Sequence, residues 1–318
     1  GFVNTLEEVL NKEHPSHIGV AFDPAGPTFR HEAYPEYKAQ REETPEAIRT
    51  AVPIIKDIIR AYRIPILEVS GYEADDVIGT LATEAGRQGI ITYMMTPDKD
   101  YGQLVSDNVF MYRPKHSGGF EVMGIEEIKA KFDIQSTEQV IDMLGLMGDS
   151  SDNIPGCPGV GEKTAQKLVA EFGSIENLLA HTDQLKGALK TKVEANREMI
   201  TFSKFLATIK VDVPIKLDMT TLVREEPDEE KLRKIFEELE FRTLIDRVLK
   251  KSGAPLSSSS NSVSPDLYAG TLFARPVDSP TPENNGPVQG DLFANFADNG
   301  TGNAENSNLT HLEMLDVD

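Results

Sequence analysis

With 318 residues, 39% of them hydrophobic and 26% charged, and one cysteine, Cys157, the chain can bury one large or two modest cores, which excludes a wholly disordered protein, a disulfide framework and a cysteine-built zinc site. No run reaches about 18 apolar residues and the N-terminus lacks the zones of a secretory signal, so a cytoplasmic, non-membrane protein is expected. Lys and Arg number 32 against 52 Asp and Glu, a formal −20, which opposes a phosphate-bearing partner only if the acids are spread evenly.

In chain order, Phe2–Lys12 sets Phe2, Val3, Leu6, Val9 and Leu10 on a helical stripe, and HIGVAFD (His17–Asp23) reads as a buried strand. Pro45–Tyr62 reads as a helix kinked at Pro53, Ile66–Val69 as a short strand, Glu73–Gln88 as a helix and Ile90–Met95 as another strand. This alternation predicts an α/β core over residues 1–123, a mainly parallel sheet with helices on both faces. After about Gly124 the strand signals fade and short helices follow at Ile125–Phe132, Thr137–Met147, Glu162–Phe172 and Ile175–Ala180, with others to Lys251. A helical subdomain over 124–251 is therefore expected. Residues 252–318, rich in Ser, Asn, Pro and Gly, hold nine acids and one base, Arg275, and read as disordered linker. That leaves a net −12 for residues 1–251. With Gly1 where an initiator Met would stand and linker-like sequence at Asp318, the chain reads as part of something longer.

Acidic residues gather where the strands end. Asp23 follows IGVAF, Asp98 and Asp100 lie in TPDKD after a strand, YEADDV supplies Glu73, Asp75 and Asp76, and GDSSDN supplies Asp149 and Asp152. In an open α/β sheet the crevice beyond the carboxyl ends of the strands collects ligands, so these eight carboxylates are expected to converge. Like charges so placed call for hard divalent cations, and an oxygen-only donor set favours Mg²⁺, or Mn²⁺, over Zn²⁺. Two such ions about 4 Å apart are the usual means of stabilising an in-line phosphoryl displacement. Any one of the acids is as readily a helix cap or turn residue, and Asp76 in particular can serve by supporting Asp75.

Two further segments suit a nucleic acid. IPGCPGVGEKTAQKLVAEFG (Ile154–Gly173) reads as a hairpin between helices, whose Gly156, Gly159 and Gly161 allow close backbone approach to a phosphodiester while Lys163 and Thr164 stand ready for phosphate, Thr164 being equally a plain cap. Such contacts position a duplex without reading bases. Pro27–Thr44 interleaves Arg30, His31, Lys38 and Arg41 with Phe29, Tyr34 and Tyr37, the mixture expected of a single-strand contact surface. A solvated helix with snorkelling side chains reads equally well from the same residues.

Together VAFD, TFRHEAYPEYKAQR, GYEADDVIGTLA, TPDKDYGQL and GDSSDNIPGCPGVGEKTAQKLV resemble the 5′-nuclease domains of bacterial DNA polymerases I, relatives of phage 5′-nucleases and flap endonucleases. The resemblance spans nearly all of residues 1–251. It implies a PIN-like core with a helix-hairpin-helix subdomain and a structure-selective 5′-3′ exonuclease that removes flaps and RNA primers in DNA replication and repair. It also implies that Asp23, Glu73, Asp75 and Asp76 serve one metal and Asp98, Asp100, Asp149 and Asp152 a second. Arg30, Tyr37, Lys38 and Arg41 would lie in an arch over residues 27–45, with Lys38 and Arg41 steering the scissile phosphate. The hairpin would grip duplex DNA, with K⁺ as a possible occupant. The family's sheet opens with a central strand ending in a metal-binding Asp, and this sequence starts beyond it, so an incomplete first site and feeble cleavage are expected. The alternative is a non-catalytic module that binds DNA junctions. In the tail, Gln289, Leu292 and Phe293 of QGDLF resemble the short peptides that dock replication enzymes on the sliding clamp. A monomer is expected.

Overall fold

The structure is a computed structural model that describes residues 1–42, 44–115, 118–249 and 311–317. The first helix, α1 (Phe2–Lys12), turns Val3, Leu6, Val9 and Leu10 inward, the stripe expected from their spacing. Strand β1 (His17–Phe22) follows, then a short helix α2 (Phe29–Ala33), α3 (Glu46–Ala61, continuous through Pro53), β2 (Ile66–Leu67), α4 (Ala74–Arg87) and β3 (Ile91–Met95). Two strands that the sequence reading missed come next, β4 (Val109–Pro114) and β5 (Phe120–Met123). They form an antiparallel pair at the sheet edge, with Met111 opposite Met123.

The helical half comprises α5 (Ile125–Phe132), α6 (Val140–Met147), α7 (Glu162–Phe172), α8 (Ile175–Ala180), α9 (Gly187–Ala195), α10 (Arg197–Ala207), α11 (Met219–Leu222) and α12 (Glu229–Glu238). It shares an apolar core with the sheet: one cluster runs from Ala21, Met94 and the inner face of α4 through Leu144, Leu168 and Leu206 to Leu222. The two parts anticipated from the sequence therefore belong to one compact unit, which also takes in residues 311–317.

The sheet order is β2-β1-β6-β3-β4-β5, where β6 is His311–Val317. Every pairing except β4–β5 is parallel. β6 lies within residues 252–318, which the sequence reads as linker, and it takes the central place in the sheet. Alternation along the strands sorts side chains to two faces. Ile18, Val20 and Phe22 join α1, α3 and Phe236 of α12 in one cluster, while Ala21 and Met94 face α4 in the other. Covering both faces is what a parallel sheet requires, and it brings the loops after β1 and β3 and the N-terminus of α4 to one rim.

The loop between α6 and α7 is pinned by two glycines. Gly148 (φ +72°) and Gly156 (φ +61°) lie backbone to backbone, and a Cβ on Gly156 would collide with the Gly148 amide. Between them Asp149 and Ile154 exchange N–H···O=C bonds of 2.9 and 2.8 Å, closing the small turn that carries Asp149 and Asp152. Gly156→Ala forces both a left-handed residue and a backbone clash, so it should cost about 1–3 kcal/mol. Urea unfolding of the two chains checks this, and an unchanged midpoint would show that the glycines are not tightly apposed.

Candidate metal centre

The first acid group is built on the N-terminus of α4. Glu73 is its N-cap residue, and Asp76 Oδ2 accepts the Glu73 N–H at 3.1 Å. Asp23, just past β1, accepts the Ala74 N–H at 2.7 Å and so is held against the same helix end. One carboxylate oxygen each of Glu73, Asp75 and Asp76 lies within 4.8 Å of the others. Such crowding of like charge needs a counter-ion.

Arg30 provides one. It is 1% exposed, and its guanidinium forms five hydrogen bonds: Nη1 to Glu73 Oε2 (2.5 Å) and Asp76 Oδ2 (2.8 Å), Nη2 to Asp76 Oδ1 (2.8 Å) and the Thr208 carbonyl (2.8 Å), and Nε to the Leu206 carbonyl (2.9 Å). The planar fork suits this bidentate arrangement, which an ammonium group cannot copy. Asp76 also accepts the Lys210 N–H at 2.8 Å, so both of its oxygens are fully used. It stands beside Asp75, with carboxylate oxygens of the two within 4.8 Å.

The second group lies on the loops after β3 and α6. Asp98 Oδ1 accepts the Asp100 N–H at 2.9 Å, and Lys99 between them bonds Asp149 Oδ2 and stands 4.0 Å from Asp100 Oδ1. Asp149 Oδ1 accepts the Ser151 N–H at 2.8 Å. Asp152 Oδ1 pairs with Arg41 at 2.7 Å. Sequence reasoning missed Lys99, although its position inside TPDKD was the available signal.

The Tyr37 hydroxyl joins the groups, 3.2 Å from Glu73 Oε2 and 3.3 Å from Asp152 Oδ2, donating to one at a time. Lys38 Nζ bonds Glu73 Oε1 at 2.7 Å. The segment after α2 is docked on the Asp149–Asp152 turn: the Lys38 N–H donates to the Asp152 carbonyl (3.0 Å), Gln40 to the Ser150 carbonyl (2.5 Å) and Asn153 to the Glu36 carbonyl (2.6 Å).

Burial works to raise the Glu73 carboxyl, but Arg30 and Lys38 outweigh it and hold the group below the usual carboxylate range. Asp75 and Asp100 go the other way. Burial lifts Asp75 well above that range, with Asp76 and Glu73 adding to the rise against Arg30. Burial likewise lifts Asp100, helped by Asp98, Asp149 and Asp152. Among the described residues, Asp75 Oδ1 and Asp100 Oδ1 are the buried side-chain oxygens without a hydrogen bond. Each belongs to a different acid group. Two electron-rich, unsatisfied oxygens in an oxygen-only donor set are what a hard divalent cation fits.

Several expected nucleic-acid contacts are placed otherwise. Arg30 is buried with all its donors engaged, and Tyr37 is 3% exposed with its hydroxyl held between acids, so neither presents itself to a ligand from outside. Phe29 packs against Tyr72 and Phe205, and Tyr34 against Phe202, which makes Phe29 and Tyr34 part of an aromatic row and not a free stacking surface. Gly156 spends its N–H on Ser203 Oγ at 2.9 Å. Gly159 and Gly161 remain on the exposed turn that leads into α7, whose first turn carries Lys163 and Thr164. Lys192, unforeseen, lies beside Gly159. Gln289, Leu292 and Phe293 lie outside the described residues. No described helix is long and apolar enough to cross a membrane.

Two outcomes follow from this electrostatic balance. Arg30→Met strands two buried carboxylates and should cost about 3–5 kcal/mol in denaturant unfolding; a loss under 1 kcal/mol would show that water already satisfies those acids. Asp75→Asn or Asp100→Asn replaces a buried carboxyl whose oxygen has no hydrogen bond and whose charged form burial penalises, and should raise stability without divalent metal by about 0.5–2 kcal/mol. A drop in melting temperature for both would contradict the placement of these oxygens.

Comparison with known proteins supports the same organisation. Residues 1–133 match the family model of the 5′-3′ exonuclease N-terminal resolvase-like domain, and residues 135–230 that of the 5′-3′ exonuclease C-terminal SAM fold. The chain is 42% identical over 250 residues to DNA polymerase I of Bacillus caldotenax, covering 78% of this chain and 28% of that protein. It thus spans under a third of the curated relatives it matches. The bacteriophage T5 flap endonuclease, solved in a complex with DNA and metal ions, superposes with a TM-score of 0.53 at 23% identity over 75% of this chain and 90% of its own. The catalytic core of Rad2 in complex with DNA substrate gives 0.53 at 17% identity over 79% and 83%. At such identities these two likenesses concern the fold. With its resolvase-like and SAM-fold parts in succession over most of its length, the chain belongs to the 5′-3′ exonuclease family.

Proposed function

We propose that the chain is a metal-dependent phosphodiesterase that hydrolyses nucleic acid at 5′ ends and flaps, acting on branched DNA and on RNA primers. The observation that carries this reading is the pair of buried, unbonded carboxylate oxygens on Asp75 and Asp100, one in each of two acid groups joined through Tyr37. Asp23, Glu73 and Asp75 would hold one Mg²⁺ ion and Asp98, Asp100, Asp149 and Asp152 another. Bound there, the ions would supply stabilisation of the charge that develops on the attacking and leaving oxygens.

The remaining roles fall to the chain's own side chains. Arg30 and Asp76 keep Glu73 and Asp75 in place. Lys38 and Arg41, paired with Glu73 and Asp152, stand at the rim, where a phosphodiester would compete for their donors and be drawn toward the acids. Lys38 is mostly buried and Arg41 half exposed, so Lys38 would contact the reacting phosphate and Arg41 an outer one. The exposed hairpin with Gly159, Gly161, Lys163 and Thr164 would hold a duplex through its backbone, with K⁺ as an ion suited to the same place. The net negative charge does not oppose this, because cations in the acid groups offset it locally. The T5 flap endonuclease and Rad2 structures, both solved with DNA, support the same reading.

The test is a 5′-flap substrate incubated with the full chain and Mg²⁺. Replacing Asp98 and Asp100 together with Asn should lower cleavage by about 10³-fold while DNA affinity changes only a few-fold. Undiminished cleavage would reject this site, and a wild-type chain that binds the flap without ever cutting it would favour a junction-binding module. Lys38→Ala should reduce the turnover rate by about 10²-fold or more in the same assay; a change confined to KM would move Lys38 out of the reacting region.

A further inference from the structure

Each acid group keeps a cation near its unbonded oxygen, and the two cations are held differently. Arg30 Nη1 stands 3.9 Å from Asp75 Oδ1, and Lys99 Nζ stands 4.0 Å from Asp100 Oδ1. Arg30 is almost wholly buried and is fixed by the carbonyls of Leu206 and Thr208 as well as by Glu73 and Asp76. The Lys99 side chain is 37% exposed, and among the described residues its ammonium has a single hydrogen bond, to Asp149 Oδ2. An ammonium on a flexible four-carbon stem can swing away from one partner, whereas a guanidinium tied at five points cannot.

Asp149 has little else to offer a metal ion. Its Oδ1 accepts the Ser151 N–H at 2.8 Å and the Ser151 hydroxyl at 2.5 Å, which leaves Oδ2, the oxygen that Lys99 occupies. Asp98 is likewise half spent, since its Oδ1 accepts the Asp100 N–H at 2.9 Å. That bond caps the turn Lys99–Leu104 and fixes the backbone there, so moving the ammonium needs only side-chain rotation. A divalent ion reaching Asp149 Oδ2 must displace the ammonium, and one bound at Asp100 Oδ1 would stand beside a like charge.

We propose that Lys99 is a displaceable internal counter-ion of the second acid group: it stabilises Asp149 and Asp100 in the metal-free chain, competes with the divalent cation for Asp149 Oδ2, and turns outward when that cation binds. The inference rests on the metal-binding function proposed above. It gives this group a built-in control on loading, because the net affinity for the cation is lowered by the free energy of the ion pair that the cation breaks.

The full chain and its Lys99→Met and Lys99→Arg variants, titrated with Mn²⁺ while free ion is counted by electron paramagnetic resonance and melted with and without the metal, test this. Lys99→Met should bind one ion roughly 10-fold or more tightly than the wild type and the other within a few-fold of it. Lys99→Arg keeps the charge and should stay close to the wild type. Without metal the Met variant should melt below the wild type, and saturating Mn²⁺ should raise its melting temperature by more. Unchanged or weaker Mn²⁺ binding in Lys99→Met, a melting deficit of equal size with and without Mn²⁺, or a Lys99→Arg chain that behaves like Lys99→Met would overturn the proposal and leave Lys99 as an ordinary structural ion pair. The same tightening in an Asp75→Asn background would support the second group as its seat, and its disappearance there would overturn that assignment. A wild-type chain that binds no Mn²⁺ would reject the metal centre itself, a result distinct from two bound ions whose affinities are indifferent to Lys99.

Discussion

Everything at the site depends on holding like charges together inside a folded chain. Glu73 and Asp76 are almost wholly buried, and Asp75 beside them is four-fifths covered. Their mutual repulsion would expel at least one of them were Arg30 not placed among them with five hydrogen bonds. The guanidinium in turn is anchored by carbonyls of Leu206 and Thr208, at the end of α10 and just past it. The site and the helical half are thus tied through one side chain, and a change in that half is transmitted to the acids by the position of two backbone oxygens.

The balance is left incomplete by design of the donor set. Among the described residues each acid group has a buried oxygen without a hydrogen bond, on Asp75 and on Asp100, while Glu73, Asp149 and Asp152 are answered by Lys38, Lys99 and Arg41. Stability and function pull against each other here, as is common where charge is concentrated for use. The segment bearing Lys38 and Arg41 gains its position from backbone bonds to the Asp149–Asp152 turn. The cations and the acids they answer are therefore located by one another.

Much of this was legible in the sequence. The alternation of HIGVAFD, the helix after YEADDV and the run ITYMM place Asp23, Asp75 and Asp100 at the ends of elements whose periods are strong, and the rule that ligands gather beyond parallel strands does the rest. Other features were not legible. Arg30 and Tyr37 look like surface residues in a polar segment, and their burial follows from partners 176 and 115 positions away. β4 and β5 were missed because an edge hairpin needs only a few pairs and gives a weak periodic signal. The amide of Gly156 was assigned to phosphate because a glycine-rich turn does not announce which of its N–H groups faces inward.

The sequence by itself determined the class of the fold, the family, and which acids stand near one another, since these rest on local periodicity and short motifs that survive without knowledge of distant partners. Only the tertiary structure decided which charges are neutralised and which are left open, and that the central strand is drawn from residues 311–317. Both depend on pairing across long separations, where a backbone edge or a carboxylate takes whichever partner packing brings to it, and no local pattern records that choice.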